Sequence, residues 1–405
     1  MKRYLVIFAG LLLCSCANKN QVEVSETVTP TIQAEKAVYQ DVSPIIEGDD
    51  YIIAFNTTIS LETLTQEDGD ILYPSFNDLM QHYGKLFDAH HPYTDAQGNQ
   101  LVNVYYINNE LKDGESITLD KDLFDLIQLS FKMSELTQDK FNPTLYDLSQ
   151  LWAPLFSPFP MEQVDPDSNS IEQAKGCVIL SDQLPLVFTL DEGSYTLTKN
   201  NSKCETGAKL DLGGIAKGYA LDLVTKQLMD YQLPFLINSG TSSISAYTPQ
   251  GVDKTWYIGV RDPFARVSLL YDVGLKESAC FTTSGDDSQY FLKTEGLNTI
   301  IRHHILDPLS GYSNNYIRSA TVLSSPLTNG IADALSTALF NCETNDQRLA
   351  IVEAVKNEFN VQIEFATLEN TSSDNGYLDI TKGFKSLLIE GTESEHVIDT
   401  RVINE

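Results

Sequence analysis

Four short stretches hold residues whose types and spacing suit phosphate chemistry. In Asp211-Leu-Gly-Gly-Ile-Ala-Lys-Gly-Tyr-Ala220 two adjacent glycines and Lys217 stand where a helix is expected to open. Paired glycines let the backbone approach a ligand and leave N–H groups facing an anion, and Lys217 adds a point charge. Asp333 and Thr337 lie four residues apart and so share one helix face. A carboxylate and a hydroxyl there are hard oxygens of the kind Mg2+ takes beside carbonyls, waters and substrate phosphate. His304 follows an apolar stretch and precedes the Asp307-Pro308 turn, where it could serve as general base for a hydroxyl. Thr282-Thr-Ser-Gly-Asp286 combines hydroxyls with turn-forming residues. Taken singly, each has a plainer reading: a glycine pair turning tightly against a sheet, a threonine back-bonding within its helix, a structural histidine, a loop.

The rest of the composition narrows the field. The chain has 405 residues, a hydrophobic share of 42% and aromatics of 10%, enough to bury a substantial core. Its formal charge of −29 disfavours nucleic acid as partner, because phosphate-backbone binding needs clustered Lys and Arg. The same charge means that a phosphate substrate needs a local remedy: a cation, a helix N-terminus or one well-placed Lys.

Lys2 and Arg3 precede an apolar run from Tyr4 to Leu13, signal-peptide length and too short to span a bilayer. The run ends in Leu13-Cys14-Ser15-Cys16, similar to the lipobox of bacterial lipoproteins, so Cys16 is the expected lipidated residue. Residues 1–16 then read as signal, 17–45 as a polar tether, 46–390 as the catalytic domain and 391–405 as an acidic tail. Cys177, Cys204, Cys280 and Cys342 lack paired metal-ligand spacing. In an exported protein a disulfide is possible, Cys177 with Cys204 among the choices, but spacing does not fix the pairing.

Elements must position these residues. Strands are expected at Ile52 to Leu61, Leu236 to Ala246, Trp256 to Val260 and Arg318 to Leu323. Helices are expected at Pro74 to His90, Asp120 to Leu136, Gly218 to Met229 and Asp333 to Leu339. Strands and helices interleaved without regular βαβ spacing imply an α+β fold in one compact unit.

Together with Asn238-Ser239-Gly240, the four stretches in this order resemble the signature of the FAD:protein FMN transferase, or ApbE-like, family, over roughly residues 50 to 345. The resemblance implies a T-fold-related domain of mixed sheet and helices. It also implies Mg2+ held by Asp333, Thr337 and the Gly214 carbonyl, FAD contacts from Asp211, Lys217 and Leu306, and His304 as activator of the acceptor hydroxyl. Three places depart from the common pattern. Phe55-Asn56-Thr57 stands for Met-Gly-Thr, His90 stands where an aromatic covers the flavin, and Lys140-Phe141-Asn142 replaces a run with Asp at the third place. Phe55, His90, Lys140, Phe141 and Asn142 are therefore the expected contacts on the less regular side.

The implied reaction moves FMN from FAD to a Ser or Thr of an acceptor flavoprotein and releases AMP. A lipid anchor would hold the enzyme on the extracytoplasmic face of the membrane beside such acceptors. The alternatives are a Mg2+-dependent FAD hydrolase, giving FMN and AMP, and a flavin-binding lipoprotein without catalysis.

Overall fold

Along the Ile59–Thr63 strand, Ile59, Leu61 and Thr63 are buried and the residues between them half-buried, the two-residue period of a covered sheet. The computed structural model describes residues 55–403, apart from 56, 96, 158–160, 241, 266, 297 and 372–373, together with the backbone of three short strands between 38 and 52.

Among the described residues nine strands form the main sheet, and their spatial order follows the chain: Val38–Asp41, Ile59–Thr63, Phe235–Ser239, Ser243–Tyr247, Ala279–Gly285, Ile317–Ser325, Gln362–Glu369, Gly376–Ile380 and Val397–Val402. Neighbours are antiparallel except the last pair, which runs parallel. Ile317–Ser325 is buried at every position but its last, as befits a strand covered on both faces.

Alternate residues divide between two cores. Phe235, Ile237, Ala320 and Val322 join one cluster with the helices Gln66–Leu86, Lys121–Leu136, Ala216–Leu228 and Asn329–Phe340. Leu236, Phe281 and Leu323 face the other way, into a cluster with the hairpin Trp256–Arg261/Leu269–Leu275 and with Phe384. The fold is thus α+β, with helices on one face of the sheet and a hairpin on the other.

The structure moves several expected boundaries. The strand expected from Ile52 to Leu61 is instead Ile59–Thr63, and Ile52 ends the separate short strand Asp50–Ile52. The helix expected from Pro74 starts at Gln66, capped by the Thr65 side chain, so Pro74 lies inside it. A single strand from Leu236 to Ala246 is instead two, reversing at Gly240 with φ +59°. Asp120 proves to be the cap of Lys121–Leu136, its side chain accepting from the Asp122 N–H. The expected tether overlaps the Val38–Asp41 strand, and the expected acidic tail packs as far as residue 403, through Val397–Val402. Both corrections arise because unpaired strand edges recruited backbone that carries no strong local signal. The signal run and Cys16 lie outside the described residues.

Cys177 and Cys204 form a disulfide, with Cα atoms 4.7 Å apart. Both sulfurs are therefore committed, although Asp147 lies close to them. Cys280 and Cys342 are buried free thiols.

Candidate active site

The most telling geometry is where two helices touch. A Cβ at Gly218 would sit 2.3 Å from the Asn329 carbonyl oxygen, and one at Gly330 would sit 3.2 Å from the Tyr219 Cα, so only glycine admits this approach. Helix Asn329–Phe340 gets no cap bond from Thr328. Asp222 of the neighbouring helix caps it instead, accepting from the Asn329 N–H at 2.5 Å and the Gly330 N–H at 2.8 Å. Burial pushes the Asp222 carboxyl up to about 6, against those hydrogen bonds.

That contact aims Asp333 at the glycine turn. Its Oδ2 accepts from the Gly218 N–H at 2.8 Å, and its Oδ1 accepts from the Ser243 hydroxyl at 2.6 Å. Lys217 Nζ lies 3.9 Å from the same Oδ2. Thr337 follows one turn on, half-buried at the cleft. A Cβ at Gly214 would come 3.3 Å from Thr337 Oγ1 and 3.2 Å from the Phe141 ring, so the bare backbone there leaves room that a side chain would fill. Asp211 braces the turn: its carboxylate accepts from the Ser149 hydroxyl at 2.5 Å and the Gly213 N–H at 3.0 Å.

Ser149, Asp211, Gly213, Gly214, Lys217, Asp333 and Thr337 line one cavity of about 1430 Å3, which also reaches Phe55, His90, Lys140, Phe141, Asn142, His304 and Leu306. Every expected site residue within the described part of the chain thus borders one space. Asp333, Thr337, Gly214 and Lys217 converge closely. The Asn142 side chain is turned to structure instead: its Nδ2 donates to Asp139 Oδ1 at 3.0 Å and the Ile179 carbonyl at 2.9 Å, and its Oδ1 accepts from Thr144. His90 is exposed, its ring stacked on Tyr146 with centroids 5.9 Å apart. Phe55 adopts a left-handed φ of 54°, rare for a bulky residue.

The adjacent histidines divide inside from outside. His303 is fully buried and donates from Nε2 to the Asn314 carbonyl at 2.7 Å, and its ring meets Phe340 edge-on. Burial pushes its pKa down to about 3. His304 opens on the cavity and is accessible to its water, yet protein surrounds it on the other sides. This enclosure, with the charge of Lys217 adding to it, lowers its pKa from the ordinary value and keeps the ring neutral near pH 7.

Sequence reasoning missed Asp222 and Asn341. Asn341 donates to the carbonyls of Lys140 at 3.0 Å and Leu306 at 3.1 Å, tying two walls of the cavity to the end of the Asp333 helix. Neither has a local signature, since each acts on backbone more than 30 residues away.

A carboxylate, a hydroxyl and an ammonium converging on a glycine turn at a helix N-terminus, in a cavity of this size, can receive a large phosphorylated ligand. The ApbE family profile matches residues 55–362, and the chain belongs to that family. It is 31% identical over 226 residues to the FAD:protein FMN transferase of Klebsiella pneumoniae (strain 342), covering 55% of this chain and 63% of that protein. To the FAD:protein FMN transferase of Rhodobacter capsulatus it is 24% identical, covering 58% of this chain and 41% of that protein. The ApbE protein of Thermotoga maritima MSB8 superposes with a TM-score of 0.66 at 24% identity, over 88% of this chain and all of the other. The flavin transferase ApbE of Vibrio cholerae gives 0.63 at 19%, over 87% and 99%.

Proposed function

We propose that this chain is an FAD:protein FMN transferase that moves FMN from FAD to a Ser or Thr hydroxyl of an acceptor flavoprotein. The relatives' names support the reading, and the convergence of Asp333, Thr337, Gly214 and Lys217 on one glycine turn carries it. Each Asp333 oxygen accepts one hydrogen bond and has a further lone pair, and the Gly214 backbone leaves open space beside Thr337 Oγ1. This set of hard oxygens fits Mg2+, which Asp333, Thr337 and the Gly214 carbonyl would hold. Bound there, the ion would supply positive charge to the diphosphate of FAD.

The chain's own residues do the rest. Lys217, beside Asp333 at the glycine turn, brings a positive charge to the diphosphate end and offsets the acidity of the protein there. The acceptor oxygen attacks the phosphorus on the FMN side. A new P–O bond forms as the P–O bond to AMP breaks, and AMP leaves with the electron pair. The hydroxyl proton passes to an imidazole nitrogen of His304, which is neutral and able to take it. Lys2, Arg3 and the lipobox ending at Cys16 support placement on the extracytoplasmic membrane face, where membrane flavoproteins offer acceptors.

The test incubates the full chain with FAD, Mg2+ and an acceptor domain, and reads acceptor mass and released nucleotide. A mass gain equal to FMN with AMP released is the expected result. AMP and free FMN without labelling would make the protein a hydrolase, and uncut FAD would refute catalysis altogether.

A further inference from the structure

One wall of the cavity is the hairpin Trp256–Arg261/Leu269–Leu275 with its turn. Ile258, Val260 and Arg261 of the strand and Pro263, Val267 and Ser268 of the turn border the space. Two strands alone make a marginal unit in water. Here one face packs on the main sheet, and further support comes from residues 387–396, which lie beyond the stretch that matches the family.

The support is continuous. The Gly274 N–H donates to the Leu387 carbonyl and the Ile389 N–H to the Asp272 carbonyl, each at 3.0 Å. The Asp272 N–H donates to Thr392 Oγ1 at 3.0 Å, and the Ser394 N–H to the Leu270 carbonyl at 2.8 Å. This strap is pinned at both ends. Upstream, Phe384 is fully buried in the hairpin's own core. Downstream, Arg401 in the last strand binds Asp379 at 2.6 Å and Glu369 at 2.5 Å.

Its sharpest contact falls on the turn. Asp262 is fully buried, and its Oδ1 accepts from the Phe264 N–H at 2.8 Å. Its Oδ2 accepts from the Ser394 hydroxyl at 2.5 Å and from His396 Nδ1 at 2.7 Å. A buried carboxylate deprived of such partners must find water, and here it can do so only by opening the turn. From the opposite side Arg318 donates to the Pro263 carbonyl at 3.3 Å, lies 4.8 Å over the Phe264 ring and pairs with Asp286 of the Thr282–Asp286 motif. The motif and the strap thus grip the same turn.

We infer that residues 387–396 are a strap that sets the position of this cavity wall, with Ser394 and His396 as positioning residues for FAD acting through Asp262. The inference rests on the proposed FAD reading for its ligand. The experiment measures FAD binding to the full chain by flavin fluorescence, together with KM and kcat. Ser394→Ala and His396→Ala should each weaken binding about tenfold, the scale of one lost hydrogen bond to a buried charge. KM should rise in step, with kcat at saturating FAD held within about twofold. His396→Asn, whose amide N–H can replace that of Nδ1, should recover most of the loss. Unchanged affinity in both alanine variants, or a fall in kcat with KM kept, would overturn the inference. If the wild-type chain does not bind FAD, the functional reading fails. The strap is then judged by hydrogen exchange of the 256–275 amides, which must quicken in His396→Ala, and unchanged exchange would overturn it.

Discussion

The Asp333 side of the cavity and the His90 side are built on different terms. Asp333 is buried on a helix whose start is capped by Asp222 and whose end is tied by Asn341, and both its oxygens are already oriented by Gly218 and Ser243. His90 is exposed on a loop, steadied through its backbone N–H on Asp88 and by stacking on Tyr146. Charge chemistry tolerates little displacement, so preorganised groups belong on buried elements. A surface that covers a flat apolar ring tolerates substitution, because stacking asks for a face and not for one atom. Of the three departures from the family pattern, His90 falls on this second side, whereas Phe141 lies beside Gly214 and Thr337 and Asn142 is buried.

The largest effect expected from this contrast is at Asp333. Asp333→Ala should lower transfer on the order of 10^2–10^3-fold, by assay of labelled acceptor, because it removes the charge that organises the diphosphate end. Activity within a few-fold of wild type would erase the distinction between the two sides. His304→Ala should cost about 10^2-fold in kcat with FAD affinity nearly kept, as loss of a general base does. A weakened FAD affinity with kcat intact would make His304 a binding residue.

Asn142 sharpens the comparison from the other side. Asn142→Asp restores the residue common in the family, yet it would set an acceptor against Asp139 Oδ1 and the Ile179 carbonyl. The expected outcome is a loss of about 1–3 kcal/mol in thermal or denaturant unfolding, with transfer rates nearly unchanged. A stabilised variant would show that Asn142 is not committed to its local network.

His303 supplies a pH test. Its folded pKa is about 3, against 6.5 for the ordinary group, so the unfolded chain binds the extra proton between those values. Stability from its neutral burial is complete above pH 6.5 and is lost as pH falls toward 3, at about 1.4 kcal/mol per unit. His303→Gln keeps a donor for the Asn314 carbonyl and does not titrate, so its acid limb should be flatter in denaturation at pH 4 to 7. An equal slope in both proteins would place the acid sensitivity elsewhere.

What was legible in the sequence follows the same division. The glycine turn, Asp333 with Thr337, and His304 could be singled out because their motifs, taken together and in order, resemble the family's, although each alone had a plainer reading. The α+β class and the Lys121–Leu136 helix were legible through the interleaving of strands and helices and the apolar periodicity of 120–136, although Asp120 is its cap and not its first residue. Asp222, Asn341 and the strap contacts of Ser394 and His396 were not, since each joins backbone or side chains far apart in the chain. The reversal at Gly240 lies in the polar stretch Asn238-Ser239-Gly240, inside what reads as one strand, where a φ of +59° and the close approach of Thr57, with a Cβ 1.6 Å from its Oγ1, both call for glycine. Pro74 misled by suggesting a helix start, whereas Thr65 caps the helix earlier.

The most direct test of the account is the affinity of metal-stripped protein for FAD, measured with and without Mg2+ in the wild type and in Asp333→Ala. Mg2+ should tighten FAD about tenfold or more in the wild type and leave the variant unchanged. Equal tightening in both proteins would contradict the assignment of Asp333 as the residue that holds the metal to the diphosphate.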